Sequence, residues 1–190
     1  MSHSAAAVLR RRALGVGVVV VAVTALGWVL VQETPNVAEA SEPSASVERL
    51  SLFRIERNKN KNVVRYDVLL DSSGHPLQER PIDAYWRMDA EDGRRRELNA
   101  FERSKAYGFS VRERLGKDEL VITLNAFPQR PVRVRVEARR AEALVDIAGQ
   151  GAFLDRIFVQ AREGTLPKVE WIDLYGRRAG GTPVHERVTR

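Results

Sequence analysis

The chain has no cysteine in 190 residues, which excludes a disulfide framework, thiolate metal sites, iron–sulfur clusters, thiol catalysis and a cysteine-linked lipid anchor. Histidine is almost as scarce. Its 3 copies stand at the start (His3), in a turn (His75) and near the carboxyl end (His185), a spacing that supports neither a metal cluster nor a Ser/His/Asp triad. Gly-x-Ser-x-Gly, phosphate-loop, Gly-x-Gly-x-x-Gly and His-Glu-x-x-His patterns are all missing, so no cofactor and no metal is expected. Lysine is rare too: 5 of the 31 cations are Lys and 26 are Arg. Arg is interleaved with acids, as in Arg112-Glu113-Arg114, so the net charge of +6 is scattered rather than gathered into a phosphate-binding stripe, and no nucleic-acid partner is expected.

What is present first is a leader. Residues 1–12 form a basic start ending in Arg10-Arg11-Arg12, and residues 13–31 carry no charge. As a helix, those 19 residues would rise about 28 Å, close to the thickness of a hydrocarbon core. The preceding cations keep the start cytoplasmic and send the remainder outward. Two readings stay open: a signal peptide cleaved after Ala40 in Ala38-Glu39-Ala40, or an uncleaved transmembrane anchor. Both place the rest of the chain outside the inner membrane, tethered or free in the periplasm. Residues 32–46 (QETPNVAEASEPSAS) lack periodicity and read as a flexible linker. A folded unit over 47–178 and a polar tail over 179–190 complete the plan.

Period-two alternation dominates 47–178. Val132, Val134 and Val136 alternate with Arg133, Arg135 and Glu137, and similar patterns run through 64–70, 82–88, 107–112 and 120–126. Further strands are expected at 50–57, 143–149, 153–161 and 168–175, with a short helical turn within 95–105. Short Gly- and Pro-bearing turns between them make sequential antiparallel neighbours. The fold class predicted is all-β: a meander of 8 to 9 strands closed into a small barrel or, alternatively, stacked as a two-sheet sandwich.

Four stretches mix polar and aromatic residues with the strand pattern: LFRIERNKNKNVVRYDV, PIDAYWRMD, ERSKAYGF and PKVEWIDLYG. The run Arg57-Asn58-Lys59-Asn60-Lys61-Asn62 suits a hairpin turn or a rim loop whose amides and ammonium groups bind an anion or a sugar. Trp86 shares a face with Ile82 and Met88, which suits the core. Tyr107 sits on the apolar face with Phe109, where its hydroxyl needs a partner.

These stretches resemble the uncharacterised exported bacterial family catalogued as domain of unknown function 4833. The resemblance implies an envelope β domain and supplies no activity. It nominates Asn62, Tyr66, Tyr85, Trp86, Arg103, Tyr107, Lys168 and Asp173 as ligand-binding candidates. The function expected is non-catalytic: a barrel mouth lined by Trp86, Tyr107 and Arg103 around an amphipathic or anionic small ligand, or docking of an envelope protein partner. The alternative is an envelope hydrolase or glycan-modifying enzyme, with Asp67, Asp83 or Asp173 paired with Tyr107 or Lys168 for acid–base work.

Overall fold

A computed structural model describes residues 47–162 and 168–189; the expected export segment and linker lie outside the described residues. Eleven strands make up about two thirds of the described chain: β1 (Glu48–Arg57), β2 (Asn60–Leu70), β3 (Ile82–Arg87), β4 (Arg95–Glu97), β5 (Phe109–Arg114), β6 (Glu119–Leu124), β7 (Phe127–Glu137), β8 (Arg140–Ile147), β9 (Gln150–Arg162), β10 (Lys168–Arg177) and β11 (Pro183–Thr189). Every strand expected from alternation is present, and the all-β class holds. Nine strands curl into a half-barrel sheet in the order β4-β3-β2-β1-β9-β8-β7-β6-β5.

The thirteen-residue β9 joins the two arms of this sheet. Phe153 pairs with both Leu144 of β8 and Arg177 of β10, while Arg156 pairs with both Arg54 of β1 and Tyr175 of β10. A strand has two edges, so β8 and β1 lie one after the other along the edge opposite β10. The β8-β7-β6-β5 and β1-β2-β3-β4 arms diverge from there and curl toward each other. Inward residues of both arms form the core: Val64, Tyr66, Val68 and Ile82 on one side, Leu120, Ile122, Val132 and Val134 on the other, each at most 1 or 2% exposed. Tyr66 stacks on Phe53 with centroids 4.5 Å apart and meets Phe109 edge-on at 6.4 Å. Burial of each such side chain stabilises the fold by roughly 1.5–3 kcal/mol.

The barrel ladder is not closed. β4 and β5 end the sheet and do not pair with each other. The chain crosses this seam as residues 98–108, so the region expected to form a helical turn over 95–105 divides into β4 and a single π-helical turn, Glu102–Ala106. Arg95–Glu97 is drawn into the sheet because it pairs with Tyr85–Arg87. The turn starts at a reciprocal cap: the Asn99 side chain accepts from the Glu102 N–H (2.8 Å) and the Glu102 carboxylate accepts from the Asn99 N–H (2.9 Å).

The expected polar tail is also corrected, since Pro183–Thr189 is strand β11, paired with Trp171–Arg177 of β10. Val184 and Val188 reach the core edge, while the Asp173 carboxylate takes two hydrogen bonds from Arg187 (2.8 Å each) and lies 3.0 Å from His185 Nε2. Two valines among charged residues are too weak an alternation to read as a strand; the ion pair supplies what the apolar pattern lacks.

The half-barrel has unlike ends. At one, His75 meets Asp118 and Arg114 donates to the carbonyls of Leu77 and Gln78, tying the β2–β3 loop to the β5–β6 turn. At the other, the β1–β2 and β6–β7 hairpin turns stand apart and the 98–108 crossover covers one side.

Candidate functional site: a cavity at the open end

Those spread hairpins leave a cavity of about 930 Å³. Its walls come from inward positions near strand ends: Ile55 of β1, Leu124 and Phe127 beside the β6–β7 turn, Ile157 and Val159 of β9, and Ile172 of β10. Its rim is polar, with Asn60, Asn62, Asn99, Asn125 and Gln129 as amides, Arg57, Arg96 and Lys105 as cations, and Glu102 as a carboxylate. That combination of apolar walls and a few placed polar groups is the usual make-up of a small-molecule site, and the volume falls within the ordinary range for one.

The crossover is built to hold one wall in place. Trp86 and Tyr107 meet edge to face, with centroids 5.1 Å apart and planes at 78°. The Trp86 indole N–H donates to Glu102 (3.0 Å), and Arg96 binds the same oxygen at 3.0 Å. Burial works against ionisation of Glu102, but the Asn99 N–H, Arg96 and Trp86 together hold its carboxyl below the usual glutamate value. The Tyr66 hydroxyl donates to the Tyr107 carbonyl (2.7 Å), and the Asn125 amide donates to the Arg103 carbonyl (3.0 Å). Arg57 hydrogen-bonds the Tyr107 hydroxyl; burial is the main influence on that phenol and pushes its pKa up, so it stays protonated at neutral pH.

Of the eight residues nominated from sequence, three line the cavity: Asn62, Trp86 and Tyr107. Tyr66 lies in the core, where its hydroxyl supports Tyr107 from behind. Arg103 is not in the lining; it donates to the Leu98 carbonyl (3.2 Å) and sits 3.5 Å from Glu97. Lys168 is exposed at the start of β10, next to the lining residue Val169 but not itself in the lining. Tyr85 and Asp173 face outward. Tyr85 donates to Asp67 (2.8 Å), because the even-numbered members of β3 take the core and the odd-numbered ones the outer face. Sequence reasoning missed Arg57, Arg96 and Lys105. Arg57 was detectable: it continues the inward series Phe53, Ile55, and a cation on an apolar face is informative in a way that one on the wet face is not.

The carboxylates of the enzymatic alternative do not meet Tyr107 or Lys168. Asp67 and Asp83 are direct cross-strand neighbours on the outer face, and Asp173 is on the outer face of β10. Asp83, fully buried, is surrounded by Arg49 (2.5 Å), Arg95 (2.7 Å) and Arg80. Burial opposes its charge, yet the three guanidiniums win and hold its pKa below the ordinary value. Asp67 goes the other way: burial dominates, and its pKa is raised.

Asp173 gives a pH prediction. Its pKa is lowered from 3.8 to about 2, chiefly by the Arg187 hydrogen bonds, with His185 adding to them. A folded-state value below the unfolded one stabilises the fold above pH 4 and loses that stabilisation as pH falls from about 4 toward 2. Arg187→Gln is therefore expected to lower stability at pH 7, by a difference that shrinks as pH falls below about 4 and is gone once pH lies below the folded-state value. Urea unfolding of both proteins across that range checks it, and a pH-independent difference would contradict it.

The architecture is thus an all-β half-barrel with an apolar-walled, polar-rimmed cavity at one end. Residues 53–187 match the family model for the domain of unknown function DUF4833, and the chain belongs to that family. No curated protein and no solved structure matches the chain.

Proposed function

We propose that the protein is a non-catalytic binding domain of the bacterial envelope, held or released outside the inner membrane, whose end cavity takes a small molecule with an apolar body. The observation that carries this reading is the cavity itself: 930 Å³ between the arms, with apolar walls from both and the carboxylates of the enzymatic alternative turned to the other face. The leader sequence supports the location, through its basic start and the uncharged run over 13–31.

The chain has 3 tryptophans, Trp28, Trp86 and Trp171; of the two among the described residues, Trp86 lines the cavity and Trp171 does not. In full-length protein carrying 5-fluorotryptophan, held in phosphatidylcholine nanodiscs, hexadecan-1-ol should move the Trp86 fluorine resonance saturably and leave Trp171 in place. Trp86→Phe assigns the signal. Absence of a saturable Trp86 shift with hexadecan-1-ol and with charged amphiphiles of equal length counts against the cavity as a binding site.

A further inference from the structure

The charges around the cavity are not balanced, and the imbalance has a direction. Three cations and one carboxylate line it: Arg57, Arg96, Lys105 and Glu102. Arg96 and Glu102 neutralise each other at 3.0 Å, and Glu102 is further occupied by the Trp86 and Asn99 N–H groups. Arg57 has the Tyr107 hydroxyl as its partner and no carboxylate among the described residues. Lys105 has no hydrogen bond or ion pair among the described residues. Two positive charges thus face one cavity without a counter-charge, and each raises the local concentration of anions.

The phenol strengthens the case. Arg57 donates to the Tyr107 oxygen, which leaves the hydroxyl proton free to be donated onward, and a proton held by a phenol of raised pKa is a donor at any physiological pH. Arg57, Lys105 and Tyr107 therefore present only donors to an incoming head group, beside a wall of Ile55, Ile157 and Ile172. Among the described residues, a cationic head would find no uncompensated carboxylate there.

Resting on the reading of the cavity as a binding site, we propose that its ligand is an amphiphile with an anionic head, a carboxylate or phosphate monoester, held by Arg57, Lys105 and the Tyr107 hydroxyl while its apolar tail lies between the arms. Charge-assisted hydrogen bonds of this kind are worth about tenfold in affinity each.

The experiment uses the same fluorotryptophan-labelled full-length chain in phosphatidylcholine nanodiscs, titrated with hexadecanoate, hexadecyl phosphate, hexadecan-1-ol, hexadecyltrimethylammonium, and acetate or inorganic phosphate alone. Hexadecanoate and hexadecyl phosphate should each bind at least about tenfold more tightly than hexadecan-1-ol by the Trp86 shift, with the ammonium weakest. Arg57→Met with Lys105→Met should cut that anion-to-alcohol preference by about tenfold or abolish it, and Arg57→Lys with native Lys105 should restore most of it. Equal affinity for alcohol and acid, tightest binding of the ammonium, or a preference unchanged in the double variant overturns the anionic head and leaves the cavity reading standing. Saturable binding of inorganic phosphate alone as tightly as hexadecyl phosphate overturns the amphiphile in favour of a free anion. Loss of every Trp86 response overturns both readings.

Discussion

Gly108→Ala is expected to prise the 98–108 crossover off the half-barrel. A Cβ on Gly108 would stand 1.6 Å from the Arg103 carbonyl oxygen and 2.7 Å from the Asn125 side-chain nitrogen. The first of these is backbone and cannot rotate away. The Gly108 carbonyl also accepts a hydrogen bond from the Asn125 backbone N–H at 2.9 Å, so the crossover cannot relieve the clash by sliding along β6. The cost should be about 3 kcal/mol, at the upper end for overpacking a fixed site. The Trp86–Tyr107 contact and the rim cations Lys105 and Arg57–Tyr107 belong to the same unit, so ligand binding should fall with stability. Asn125→Ala is the companion measurement. It removes the amide donors and adds no clash, and should cost about 1 kcal/mol. Urea denaturation followed by tryptophan fluorescence distinguishes the two; equal losses for both variants would show that the glycine's lack of a side chain is unimportant.

The second large effect lies on the outer face, where two neighbouring aspartates should respond in opposite ways. Asp83→Asn is expected to cost about 2 kcal/mol at pH 7, because it replaces an unexposed carboxylate with a neutral group among Arg49, Arg80 and Arg95, whose guanidiniums stay partly in water. Arg95 opens the three-residue β4, so the seam end of the sheet should loosen with it, and amide exchange in Arg95–Glu97 should accelerate. The carboxyl of Asp83 is held below its ordinary pKa, so this stabilisation is present above the unfolded value and is lost as pH falls through the folded one. Asp67 has a raised pKa, with burial the main cause, so its ionised form is a burden on the folded state at neutral pH. Asp67→Asn removes the charge, keeps an acceptor for the Tyr85 hydroxyl, and relieves a like-charge cross-strand pair. It should be neutral or stabilise by up to about 1 kcal/mol. Destabilisation of similar size by both substitutions would refute this account of the pair.

How much of this could be read from residues alone depends on what each feature rests on. The strands of the β6–β8 region were plain, because Val132, Val134 and Val136 lie on one side of a sheet with a wet reverse face and local alternation records that directly. β11 was hidden because its attachment is an ion pair with Asp173, a relation between residues twelve and fourteen positions apart that leaves no periodic trace. The unclosed seam was equally invisible, since closure depends on where β4 and β5 end up relative to each other, and β4 is only 3 residues long. The aromatic half of the cavity was found, as Trp86 and Tyr107. The cationic half was assigned to Arg103, whose side chain instead binds the Leu98 carbonyl next to it. Arg57 and Lys105 take that place because a strand end and a helical turn from opposite sides of the seam converge there.

The way β9 serves both arms bears on how the chain reaches its folded form. β1 is near the beginning and its parallel partner, Arg156–Val159, is about a hundred residues later. The first four strands can pair among themselves as hairpins, but the face they must cover is supplied by strands that follow. A molecule emerging amino end first therefore has no finished core to collapse onto until almost its whole length is free, and the late joining of distant segments makes folding slow. The export proposed above would benefit from that delay, because the topology would keep the chain pliable until the passage is over.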